Sequence, residues 1–99
     1  VEKFSKKELG LLKIPHVGFN QILTKKKIKF FENIKNQSDF YFDHSYRIKN
    51  YNNKIDSVTS NYGIDFLSAF AYNNIYGTQF HPEKSQSNGL KLLKNFIES

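Results

Sequence analysis

The clearest pattern of apolar and polar positions in this 99-residue chain runs from Ser38 to Ile48. Phe40, Phe42, His44 and Tyr46 fall on one face, and Tyr41, Asp43, Ser45 and Arg47 on the other, which predicts a β-strand. Its aromatic content suits a strand packed on both sides. Extended structure is also predicted over Ile55–Tyr62, broken at Gly63, and over Phe66–Tyr72. Within Phe70–Tyr76 the dipeptide Asn73-Asn74 predicts a tight turn into a second strand, which delivers His81 to its tip. Lys13–Leu23 reads as a strand interrupted by Pro15 and Gly18, hence bulged or at an edge. Ile28–Asn36 places Ile28, Phe31 and Ile34 three apart, a short helix or turn. Ser87–Glu98 predicts an amphipathic helix with Leu90, Leu93, Phe96 and Ile97 on its apolar face and Ser87 as N-cap. Val1–Leu12 is an irregular or weakly helical entry, and Lys49–Lys54 a polar turn.

Several strands and one convincing helix give an α/β or α+β set in one domain with a modest core. A parallel sheet needs helices on both faces, and one helix cannot supply them. Further strands and covering helices are therefore expected elsewhere, in preceding sequence or another chain. The start at Val1 instead of a methionine agrees with a piece of a longer protein.

Composition narrows the chemistry. The net charge of +6 invites a nucleic-acid partner, but fourteen of the fifteen basic residues are lysine and only Arg47 is arginine. Base readers and bidentate phosphate clamps lean on arginine. With eleven asparagines alongside, the excess lysine reads as a solvated surface, so no nucleic-acid partner is expected. No apolar run is long enough to cross a membrane and no hydrophobic signal region follows the first charges, so neither a membrane nor secretion is indicated. The absence of cysteine leaves no disulfide, no thiolate ligand and no cysteine nucleophile within these residues. It is compatible with a cytoplasmic location. Three scattered histidines without clustered carboxylates do not make a metal site, and no cofactor is expected. His16 and His44 read as satisfied structural histidines.

The stretch that carries chemistry is Gly77-Thr-Gln-Phe-His-Pro-Glu-Lys-Ser85. In an extended segment His81 and Glu83 share a face, and Pro82, which cannot donate to a ladder, stops the strand so that the pair sits at a rim. A carboxylate beside an imidazole fixes its tautomer and stabilises the imidazolium, as suits a general base. Taken alone, the pair fits better a surface strand end with a solvated Glu; its neighbours change that.

With Pro15-His-Val-Gly-Phe-Asn20, Tyr41-Phe-Asp-His-Ser-Tyr46, and Gly77–Ser85 followed by Gly89-Leu-Lys-Leu-Leu-Lys-Asn-Phe96, the chain resembles the C-terminal half of a class I (triad) glutamine amidotransferase. From about Leu12 onward it is similar to the glutaminase subunits of imidazole glycerol phosphate synthase in histidine biosynthesis. The resemblance implies a flavodoxin-like α/β domain of which residues 1–99 are a partial, C-terminal portion, without the half that bears the nucleophile. It implies hydrolysis of glutamine to glutamate and ammonia through a glutamyl thioester, with ammonia passed into a (β/α)₈-barrel cyclase partner. His81 is then the catalytic base and Glu83 orients it. Ser45 and Tyr46 hold the glutamine substrate, largely through backbone, while Lys84, Phe19 and Tyr41 face the barrel. The cysteine must come from a missing N-terminal half, so these residues alone are expected to be inactive.

Phe19 stands where the family has tryptophan, and Asp43 where an apolar residue is usual. On that account a paralogue paired with a different synthase, as in surface-sugar amination, stays open, and the missing cysteine half leaves open a non-catalytic remnant that only docks a partner.

Overall fold

The computed structural model describes residues 1–10, 12–48, 51 and 54–98. In chain order these form β1 (Glu2–Lys3), α1 (Lys6–Leu9), β2 (His16–Gln21), β3 (Asp39–His44), β4 (Tyr46–Arg47), β5 (Asp56–Asn61), β6 (Asp65–Tyr72), β7 (Ile75–Thr78) and α2 (Gln86–Glu98). One-turn 3₁₀ segments lie at Lys29–Phe31 and Pro82–Lys84. This is the expected set of several strands with a C-terminal helix, and every described strand pair is antiparallel.

β1 pairs with β4, β2 with β3, and β5, β6 and β7 form a meander. Antiparallel bridges join the pieces: Leu23 to Thr59 ties the continuation of β2 to β5, and Ile48 to Leu67 ties the continuation of β4 to β6. The predicted Asn73-Asn74 turn closes the β6–β7 hairpin, with Asn73 at φ 54°. Asparagine tolerates that left-handed conformation better than most residues. In β2, Gly18 has φ 125°, a value that favours glycine, so the strand passes through the interruption instead of ending there.

The core is aromatic. Phe40, Phe42, Phe66 and Phe80 are buried together with Phe4, Phe30, Phe31, Ile22, Val58 and Leu92. The Phe40 and Phe80 rings lie 4.3 Å apart, and Phe42 meets Phe66 and Phe80 edge-on. Such pairs add about 0.5–1.5 kcal/mol each beyond the area they bury. β3 supplies this layer through the alternation read from its sequence, with Phe40, Phe42 and His44 inward and Asp43 outward.

Four expectations are corrected. The strand predicted through Ile48 breaks at Ser45, which reverses the phase: Tyr46 is exposed and Arg47 is 1% exposed. The Arg47 guanidinium donates to the Glu2 carbonyl (3.2 Å) and carboxylate (3.4 Å) and lies over the Phe4 ring. The chain's one arginine is thus committed internally. The helix begins at Gln86, not after Ser87, so Ser87 is no N-cap; Ser85 closes the preceding turn and serves another purpose, described below. The third correction is the helix face, which buries Gly89 and Leu92, whereas Leu90, Phe96 and Ile97 are half or more exposed and Leu93 is 38% exposed. The fourth concerns His81: the strand stops at Thr78, so His81 lies beyond its tip and Glu83 sits in the 3₁₀ turn. The Lys49–Lys54 turn lies largely outside the described residues.

Candidate active site

His81 is placed by what precedes and follows it. Gln79 N–H bonds the Ser68 carbonyl at 2.7 Å, continuing the sheet past β7, and Phe80 is sunk into the core at 2% exposure. An anchored Phe80 fixes where the next residue emerges. The His81 N–H then bonds the Tyr41 carbonyl of β3 at 2.9 Å. Ser85 completes the frame: its hydroxyl donates to the His81 carbonyl (2.6 Å) and accepts from the Tyr41 N–H (2.9 Å). β3 therefore holds both sides of the His81 backbone.

The turn over Pro82–Lys84 is pressed against α2 at Gly89. A Cβ there would lie 1.8 Å from the Pro82 carbonyl oxygen, so no side chain fits. This places Glu83 one short turn from the imidazole, and Nδ1 of His81 meets Oε2 of Glu83 at 3.1 Å. Because a carboxylate can only accept, the proton sits on Nδ1 and leaves Nε2 as the basic nitrogen. Glu83 is held below the usual carboxyl range, first by its own backbone N–H, then by the His81 ring and the charges of His81 and Lys84. The pair is open to solvent, with the two side chains 39% and 59% exposed, so a reacting group can approach it.

Phe19, Tyr41 and Lys84 come together beside this pair. Phe19 stands opposite Tyr41 in the β2–β3 ladder, their rings 5.5 Å apart and edge-on. Lys84 Nζ lies 5.8 Å from the Tyr41 ring centroid, and the Tyr41 and His81 rings are 6.5 Å apart. Val17, 55% exposed, is on the same face two residues from Phe19, and sequence reasoning passed over it. The strand alternation could have found it, since an outward Val and Phe on one strand make an unusual pair.

Ser45 lies at the break after β3 and Tyr46 opens β4. The Ser45 carbonyl accepts from the Phe4 N–H at 2.8 Å, and the Tyr46 carbonyl is 2.7 Å from Nδ1 of His44. β3 thus carries His81 at Tyr41 and the Ser45–Tyr46 backbone a few residues on. His16 and His44 are buried, at 3% and 8% exposure, with Nδ1 of His16 2.9 Å from Nε2 of His44. Burial, and then the charge of His44, lowers the pKa of His16 to about 4. His44 is lowered too, chiefly by burial, against the opposing pull of the Tyr46 carbonyl and the Asp43 carboxylate.

Comparison with known proteins identifies the family. Residues 2–99 match the family model described as glutamine amidotransferase class-I. The imidazole glycerol phosphate synthase subunit HisH of Buchnera aphidicola is 51% identical over 87 residues, 88% of this chain and 43% of that protein. The HisH subunit of Pyrococcus furiosus is 48% identical over 90% of this chain and 46% of its own length. That of Acinetobacter baylyi is 44% identical over 92% and 45%. The chain spans a little under half the length of these curated relatives. The family-model match over residues 2–99 and relatives 44–51% identical over most of its length place the chain in the class I glutamine amidotransferase family.

Proposed function

We propose that this chain supplies the His–Glu part of a Cys–His–Glu triad in the glutaminase subunit of imidazole glycerol phosphate synthase. Residues 1–99 are then the C-terminal portion of one amidotransferase domain, and the cysteine comes from an N-terminal half that completes it. The single observation that carries the reading is His81 Nδ1 bonded to Glu83 in a solvent-open position.

In this reading Nε2 of His81 takes the proton of the cysteine thiol, and the thiolate attacks the side-chain amide carbon of bound glutamine. His81 returns the proton to the departing nitrogen, so ammonia leaves and a glutamyl thioester remains. Water, deprotonated by the same nitrogen, hydrolyses the thioester to glutamate. Glu83 holds the ring in the needed tautomer and stabilises the imidazolium formed in each half-reaction. Ser45 and Tyr46 hold the bound glutamine, largely through their own backbone. The exposed Phe19–Tyr41–Lys84 face docks a (β/α)₈-barrel cyclase that receives the ammonia, giving a heterodimer, and the setting is cytoplasmic.

The test joins this chain in frame to the cysteine-bearing N-terminal half of a HisH relative and adds the cyclase subunit. Glutamine hydrolysis that depends on the partner is expected, and His81→Asn is expected to lower kcat by roughly 10²–10⁴-fold, the size of a lost general base. Unchanged turnover in that variant would remove the assignment.

A further inference from the structure

Apart from Phe19, the motif Pro15-His-Val-Gly-Phe-Asn20 has no part in the function proposed above, yet His16 and Asn20 are linked through His44 to the Tyr46 carbonyl. The hydrogen bonds around it have one consistent direction. The Tyr46 carbonyl can only accept, so Nδ1 of His44 carries a proton and Nε2 of the neutral ring accepts. That acceptor faces Nδ1 of His16 at 2.9 Å, which must donate. His16 Nε2 is then an acceptor, and the Asn20 side-chain amide supplies the proton at 3.3 Å.

The orientation of Asn20 is determined independently. Its Oδ1 accepts from the Gln21 N–H and its Nδ2 donates to the Asn61 carbonyl, both at 2.8 Å. Exchanging the two amide atoms would set donor against donor and acceptor against acceptor. A directed relay therefore runs from Asn20 through His16 and His44 to the Tyr46 carbonyl.

The relay is also held sterically. The His16 ring stacks between Phe42 (4.8 Å) and Tyr62 (3.9 Å), and Phe4 packs on His44 at 5.1 Å. The consequence falls on two peptide planes. Each peptide is planar, so fixing its carbonyl fixes its N–H. Phe4 fixes the Ser45–Tyr46 peptide through the Ser45 carbonyl, and His44 fixes the next peptide through the Tyr46 carbonyl. The second clamp is a side chain, and its angle is set by His16.

We infer that His44, aligned by His16 and Asn20, is a positioning residue that holds the Ser45–Tyr46 backbone in the conformation that receives the α-amino and α-carboxyl end of glutamine. This rests on the glutaminase reading and adds to it the residues that set substrate affinity. It assigns the His and Asn of the Pro15–Asn20 motif a role in binding, whereas His81 and Glu83 act at the other end of the substrate.

The experiment uses the joined protein with its cyclase partner, comparing His44→Leu, His16→Leu and His44→Asn with the parent. His44→Leu should raise the KM for glutamine about 10-fold or more, roughly the effect of one lost oriented hydrogen bond, while kcat changes less than about threefold. His16→Leu should raise KM by a smaller factor. His44→Asn, whose side-chain amide nitrogen sits near the place of Nδ1, should return KM most of the way to the parent value. Nitrogen-15 spectra of the parent should show His44 in the Nδ1–H tautomer. A merely structural role would lower the amount of active enzyme, and hence kcat per chain, at unchanged KM in both Leu variants; that pattern overturns the inference, as does an Nε2–H tautomer at His44. If the parent hydrolyses no glutamine, the glutaminase reading fails and takes this one with it, an outcome distinct from an active parent with indifferent variants.

Discussion

At the scale of single residues, the proposed chemistry turns on where protons sit. His81 holds its proton on Nδ1 because Glu83 can only accept, so a Glu83→Gln variant, able to donate from its amide, removes that preference. In the joined protein its kcat should fall roughly 10-fold or more, less than for His81→Asn, because the base remains but its tautomer and charge are no longer supported. A steady-state glutaminase assay reads both. The buried pair gives a different, pH-dependent prediction. His16 and His44 are depressed in the folded state from 6.5, His16 to about 4. The unfolded chain then binds more protons as pH drops from about 6.5 toward 4, so stability present at neutral pH is lost over that window. Denaturant midpoints of the joined protein should fall across it, and fall less steeply in a His16→Phe variant. Equal slopes would contradict the assignment.

At the scale of elements, β3 was legible from its sequence and α2 was only half legible. In β3 the alternation of Phe40, Phe42 and His44 against Tyr41 and Asp43 matches the structure because a two-residue period leaves no choice of face. The break at Ser45 was not legible: what reverses Tyr46 and Arg47 is pairing with β1 and the burial of a guanidinium against Glu2 and Phe4, contacts some 45 residues distant in sequence. In α2 the sequence contains more apolar positions than one face can bury. Which of them go inward was decided by Gly89 and Leu92, where the helix touches the Pro82–Lys84 turn and the core. Leu92→Ala should therefore destabilise by about 2–5 kcal/mol, and Leu90→Ala, 70% exposed, by less than about 0.5 kcal/mol. Gly89→Ala should cost roughly 1–3 kcal/mol, since the Pro82 carbonyl must move, and should lower glutaminase kcat because His81 moves with that turn. Denaturant melts and activity of the joined variants check all three.

At the scale of the whole molecule, the exposed Leu90, Leu93, Phe96 and Ile97 of α2, together with Tyr72 and Ile75 of the β6–β7 hairpin, leave much apolar surface uncovered for so small a core. Isolated, the 99 residues are expected to melt broadly and to bind a hydrophobic dye; a sharp cooperative transition without dye binding would contradict this. The basic charge tells the same story from the other side. Arg47 is buried and the excess positive charge is lysine, so oligonucleotide binding should be weak and should vanish with added salt.

What the sequence by itself determined was the local order of elements and the three motifs: alternation, an Asn-Asn turn and the Gly77–Ser85 nonapeptide act over a few neighbouring residues, where steric and hydrogen-bonding preferences are written directly. Tertiary structure alone decided which atoms of those motifs meet. The His16–His44 relay, the Ser85 bridge between Tyr41 and His81, and the inward face of α2 all join residues far apart in the chain, and the alternatives for each differ only by contacts that exist once the core has closed.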